Sequence, residues 1–116
     1  MKKILCFDLD GVICDTSEGK YKKSTPKKNN IIFINKLYDS GYIIKIFTAR
    51  YMSRCKGDIK LVKKTGYKQA EKQLKKWQLK YHEFIMGKPS YDLFVDDKAF
   101  GFKKDWAKKL KRLIKQ

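Results

Sequence analysis

The stretch Ile4-Leu5-Cys6-Phe7-Asp8-Leu9-Asp10-Gly11-Val12 decides the fold. Four apolar residues in a row read as a buried strand, and Gly11 breaks it. In an open parallel sheet such a break lies at the carboxyl end of a strand, beside the crevice where ligands sit. Asp8 and Asp10 are therefore expected at the mouth of a site rather than in the core.

Three later segments supply partners for these carboxylates. Phe47-Thr48-Ala49-Arg50 offers a hydroxyl after a second apolar run, and Gly87-Lys88-Pro89 offers a cation. Val95-Asp96-Asp97-Lys98 offers two more carboxylates after a third run. Any one of these occurs often by chance. All four, in this order and each at an expected strand end, resemble the haloacid dehalogenase superfamily of aspartate-nucleophile phosphatases, and the resemblance runs from Lys3 to the last helix.

Around these segments the pattern alternates. Thr25-Pro26 reads as an N-cap with proline at the first helical position. That helix carries Ile31, Ile34, Leu37 and Tyr38 and stops at Ser40-Gly41. Residues 42–47 read as a second strand. Asp58 is expected to cap a short helix that ends at Gly66, and Ala70, Leu74 and Trp77 mark an amphipathic helix over 67–79. Residues 82–86 and 92–95 read as further strands, and 103–115 as a helix with Trp106, Leu110, Leu113 and Ile114 on one face. Strands alternating with helices argue for right-handed crossovers and a parallel sheet covered by helices. The expectation is one domain over residues 1–116: a three-layer α/β/α, Rossmann-like fold with no sizeable cap, as the superfamily resemblance also implies.

Composition narrows the setting. With 29 Lys and Arg against 12 Asp and Glu, the net charge is +17. Such a charge suits nucleic acid, acidic membrane or anionic substrates. Only Arg50, Arg54 and Arg112 are arginines, however, and no aromatic interleaving marks a nucleic-acid platform. A solvated lysine-rich surface that steers phosphate-bearing compounds is the simpler reading. No apolar run approaches the roughly 20 residues that span a bilayer, so a cytoplasmic protein without membrane contact is expected. Cys6, Cys14 and Cys55 cannot all pair and match no zinc spacing. Cys6 reads as core and Cys14 as a neighbour of the site. His82, the single histidine, opens a strand at the end remote from it.

The resemblance implies a chemistry residue by residue. Asp8 would be the nucleophile that forms an aspartyl-phosphate. Asp10 would be general acid, then general base, in a crowded anionic neighbourhood that favours its protonated form. Thr48 and Lys88 would hold the non-bridging phosphate oxygens. Magnesium would sit among Asp8, the carbonyl of Asp10 and Asp96, with Asp97 ligating through water or orienting a ligand. Ala49 and Arg50 follow Thr48 at the rim, where Arg50 could fork onto a substrate carboxylate or a second phosphate, or pair with a surface acid. Tyr21, Tyr51 and Arg54 are weaker specificity candidates, and Lys98 would steady the acidic pair.

Neither usual cap position has room, so the resemblance is to the capless type, whose site is closed by a large substrate or by a neighbouring subunit of a homo-oligomer. The expected activity is magnesium-dependent hydrolysis of a small phosphorylated metabolite. The compact form looks like phosphatases of bacterial capsule and lipopolysaccharide biosynthesis, which implies a sugar phosphate or a phosphate-bearing precursor. A polynucleotide end phosphatase is the alternative enzyme, and a non-catalytic metal- or phosphate-binding protein of the same fold is the alternative outside enzymes.

Overall fold

A computed structural model describes residues 3–115, and its elements follow the alternation in the sequence. In chain order these are β1 (Ile4–Asp8), β2 (Cys14–Asp15), β3 (Thr25–Pro26), α1 (Lys28–Asp39), β4 (Ile43–Thr48), α2 (Ile59–Lys76), β5 (Glu83–Met86) and α3 (Trp106–Ile114). A single 3-10 turn, Tyr21–Lys23, lies between β2 and β3.

β1, β4 and β5 form a parallel sheet in the order β1-β4-β5, with Phe7 beside Ile46 and Ile46 beside Phe84. Side chains alternate across a strand, and in β4 Ile44, Ile46 and Thr48 are fully buried. Phe7, Phe84 and Met86 share that face and meet the apolar stripes of the helices. Burying each large aliphatic chain there is worth about 1.5–3 kcal/mol. Trp106 of α3 ties the layers together, its ring 5.3 Å from Phe33 of α1 and 6.2 Å from Phe7 of β1. The result is an α/β fold with a parallel sheet flanked by helices and, among the described residues, no cap domain. Among the described residues no helix is long and apolar enough to cross a membrane.

Several local readings are met. α1 ends where Gly41 takes φ +97°, and the Asp58 carboxylate accepts from the Leu61 N–H at the start of α2. His82 is structural: its Nδ1 accepts from the Ile44 N–H at 3.0 Å, and its ring stacks on Tyr38.

Others need correction. α1 starts at Lys28 because Thr25-Pro26 pairs antiparallel with Cys14-Asp15, and the Lys27 N–H donates to the Ile13 carbonyl. α2 is continuous through Gly66, which is buried beneath the Tyr51 ring rather than ending a helix. Cys6 is exposed, because it lies on the sheet face opposite the buried one. Leu113 is half exposed while Trp106, Leu110 and Ile114 are buried, so the apolar stripe of α3 is narrower than expected.

Residues 92–95 form no strand. Leu93 and Val95 are 81% and 86% exposed. The apolar run is three residues long between acids, and local contacts compete with a sheet ladder for it. The Phe94 ring lies 5.1 Å from Tyr91 and 5.4 Å from the Lys88 ammonium.

Candidate active site

The ends of β1, β4 and β5 set three of the expected residues close together. Asp8 is the last residue of β1, Thr48 the last of β4 and its register neighbour Met86 the last of β5. Gly87 turns the chain with φ +106°, a conformation in which glycine carries no Cβ penalty. The Lys88 N–H then donates to the Thr48 carbonyl at 3.1 Å, which brings the lysine back across the strand ends. Its ammonium lies 3.7 Å from Asp8 Oδ2.

Burial pushes the Asp8 carboxyl above the ordinary range, and the Asp10 charge adds to it. The Lys88 ammonium and the Leu9 N–H, which donates to Asp8 Oδ1 at 2.9 Å, work the other way. For Lys88, burial opposes the charge, yet the Tyr91 hydroxyl and the Asp8 carboxylate outweigh it and raise the lysine. The pair is thus a partly desolvated carboxylate beside a firmly charged cation. It lies in an open cleft of about 650 Å³ lined also by Ala49, Ser53, Pro89, Ser90, Tyr91 and Asp92. Ser53 and Ser90 join the two walls through a hydroxyl contact of 2.9 Å.

Thr48 is fully buried and is not part of that lining. Its Oγ1 accepts from the Arg50 N–H at 3.1 Å and so shapes the turn after β4. Ala49 does line the cleft.

Arg50 is not at the rim. Its side chain has no exposure and turns inward to Asp10. Nε donates to Oδ1 and Oδ2 at 3.1 and 3.0 Å, and Nη2 to Oδ1 at 2.9 Å. Nη1 donates to Gln73 Oε1 at 2.6 Å, Nη2 also reaches Ser24 Oγ at 3.2 Å, and the Tyr21 ring lies 5.0 Å from the guanidinium carbon. Neither role expected of Arg50 is met: it holds no surface acid and is not open to a substrate anion, because its partner is the site carboxylate Asp10 and the guanidinium is buried. The neighbourhood of Asp10, expected to be anionic, therefore holds a cation.

Thr16 Oγ1 adds a 2.5 Å bond to Asp10 Oδ1, and Cys14 Sγ approaches the same oxygen at 3.4 Å. Burial raises the Cys14 thiol to about 11, with the Asp10 charge adding to it. Thr16, Ser24 and Gln73 escape a reading by motif. Gln73 alone left a trace, as a polar residue between Ala70 and Leu74 on the apolar stripe of α2. The Tyr21 and Tyr51 rings pack at 4.7 Å, tilted by 59°, with Arg54 5.2 Å from each, so this trio is packing of the loop over the site.

Asp96 and Asp97 are exposed and lie outside this arrangement. The Lys98 N–H donates to Asp96 Oδ1 at 2.9 Å, and that bond, with help from Asp97 and the Lys98 charge, lowers the Asp96 carboxyl. Among the described residues no three His, Cys, Asp or Glu side chains converge as metal ligands. Asp8 and Asp10 offer at most a partial shell for magnesium in this arrangement.

No family model and no curated protein matches the chain. Solved structures do. A crystal structure of a structural-genomics target from Vibrio cholerae superposes with a TM-score of 0.80 at 24% identity, over 97% of this chain and 98% of that one. Two structures of the Pnkp1/Rnl/Hen1 complex, one described as an RNA repair complex, match with TM-scores of 0.54 and 0.53 at 15% and 17% identity. These cover 94% of this chain but only 33% and 30% of the matched chains. At such identities the likeness is one of fold.

Proposed function

We propose that the protein is a phosphomonoesterase of the haloacid dehalogenase type, acting on a small phosphorylated metabolite. The observation that carries this reading is Asp8 at a strand end, 3.7 Å from Lys88, in an open cleft. A carboxylate beside a cation that can take phosphate oxygens is what an in-line phosphoryl transfer to protein requires.

In the first half-reaction an Asp8 oxygen attacks phosphorus, the bond to the leaving oxygen breaks, and Asp10 supplies that oxygen with a proton. In the second, water attacks the same phosphorus, Asp10 takes the proton, and Asp8 is released with inorganic phosphate. Lys88 holds charge on the non-bridging oxygens throughout. Magnesium, which the resemblance implies with Asp96 as a further ligand, would neutralise phosphate charge when bound. A sugar phosphate or a phosphate-bearing sugar precursor remains the proposed substrate, and a cytoplasmic setting goes with it. A neighbouring subunit covering the open cleft is the proposed partner.

A second reading, a polynucleotide end phosphatase, draws on the net charge of +17 and on the RNA repair complex among the structural matches. Against it, Lys88 is the one cation among the described residues that line the cleft, and Asp92 lies at its wall. The test is phosphate release across sugar phosphates, amino alcohol phosphates, nucleotides and end-phosphorylated oligonucleotides, with Asp8→Asn as control. Release from the small compounds, lost in the variant, is expected. Release from oligonucleotides alone would replace the leading reading with the second, and metal or phosphate binding without turnover would point to a binding protein.

A further inference from the structure

Arg50 is a fully buried cation whose three nitrogens are all engaged by the protein. Taking a guanidinium out of water is strongly unfavourable unless its partners are complete. Here they come from five places in the chain: Asp10 after β1, the Cys14 sulfur in β2, Ser24 before β3, the Tyr21 ring, and Gln73 on α2. Gln73 is itself held, because its Nε2 donates to the Tyr21 carbonyl at 2.6 Å.

The loading of the two Asp10 oxygens is unequal. Oδ1 receives Nε, Nη2, the Thr16 hydroxyl and the Cys14 thiol, whereas Oδ2 receives Nε alone. The Asp10 side chain keeps 28% exposure although Arg50 has none. Among the described residues Oδ1 is thus the heavily engaged oxygen, and Oδ2 the one with a single donor.

We infer that Arg50 is a positioning residue, whose fork holds both oxygens of Asp10 and so presents the less engaged one, Oδ2, as the oxygen that exchanges a proton with the reacting group. This rests on the phosphatase reading and adds to it a residue that acts only through Asp10. A guanidinium fork fixes the plane of a carboxylate as well as its place, which a lysine at the same position does not do. Gln73 sets the fork in turn, so α2 and the loop carrying Tyr21 both bear on the geometry at Asp10. Arg50 has no nitrogen left to bind substrate.

A double-mutant cycle tests this. Steady-state constants are measured for the wild type, Arg50→Met, Arg50→Lys, Asp10→Asn and the two double variants. The substrates are an alkyl phosphate, whose leaving oxygen needs a proton, and p-nitrophenyl phosphate, whose leaving oxygen does not. Arg50→Met is expected to lower kcat on the alkyl phosphate about 100-fold, the loss expected from misplacing a reacting group by about 1 Å. KM should stay within about twofold, and Arg50→Lys should recover only part of the loss. In the Asp10→Asn background neither substitution should lower kcat further. Gln73→Met is the variant to use if Arg50 substitutions do not fold, with a loss of about tenfold that also disappears in the Asp10→Asn background.

A loss that persists undiminished beside Asp10→Asn would overturn the positioning role, as would a rise in KM at unchanged kcat, which would make Arg50 a substrate contact. In either case the wild type still releases phosphate, and the phosphatase reading stands. No release by the wild type from either substrate would remove both.

Discussion

Gly66→Ala is expected to destabilise the protein, against the usual direction of that change in a helix. Inside α2, alanine should gain about 1 kcal/mol over glycine by propensity alone. A Cβ here would overlap Cδ2 and Cε2 of Tyr51 and lie 3.2 Å from its Cζ. These are ring atoms, and the ring has little freedom to retreat. Tyr51 is buried with φ +67°, and its ring packs against Tyr21 at 4.7 Å. Overpacking of this kind costs about 3 kcal/mol at its upper range. The balance is a loss of about 2 kcal/mol, or roughly 6–12 °C in Tm for a domain of this size. Thermal and urea melts followed by circular dichroism measure it. The second arm is Tyr51→Gly, which removes the ring and suits the left-handed backbone. In that background Gly66→Ala should stabilise by about 1 kcal/mol. A Gly66→Ala protein melting at or above the wild type, or equal destabilisation in both backgrounds, would refute the reasoning.

Asp8→Asn should raise Tm at neutral pH while abolishing phosphate release. The folded Asp8 carboxyl is raised by burial above its unfolded value of 3.8, so its contribution favours the fold below that value and is lost as pH rises through the raised one. Asparagine escapes the loss, worth at most about 0.5 kcal/mol at this part-exposed and solvent-screened site, or roughly 1.5–3 °C. Melts at pH 7 and pH 3 check it, and a gain that persists at pH 3 would assign the effect to something other than ionisation. Brief alkylation of the native protein at pH 7 should modify Cys6 first. Cys6 is exposed, while Cys14 is buried with its thiol raised to about 11 and Cys55 is buried. Peptide mass spectrometry reads the order, and early labelling of Cys14 would contradict the packing around Asp10. A chelator should lower phosphate release at least about tenfold, with recovery on adding magnesium, if the metal neutralises phosphate charge as the resemblance implies. Unchanged release would favour Lys88 as sufficient.

What could be read in advance divides along physical lines. Signals carried by one residue and its immediate neighbours were legible: Gly41 closing α1, Asp58 capping α2, and Asp8 and Lys88 at strand ends that meet. The parallel order of the sheet followed from the alternation of elements. Long-range packing was not legible. Gly66 looks like a helix stop until Tyr51 is seen against it, and Thr25-Pro26 looks like a helix start until Cys14-Asp15 pairs with it. Arg50 follows Thr48 by two residues and so reads as a rim group, whereas its partners lie 40 and 23 positions away at Asp10 and Gln73. Residues 92–95 show the limit of an apolar run as a signal, since a strand forms only where a ladder receives it.

The central claim is that Asp8 is a nucleophile, and trapping its covalent intermediate tests it most directly. Acid quench during turnover of a small phosphate ester, followed by peptide mass spectrometry, should find one phosphoryl group on Asp8 and none in the Asp8→Asn protein. Turnover with no phosphoryl group on Asp8 at any quench time, or one placed on another residue, would contradict the account.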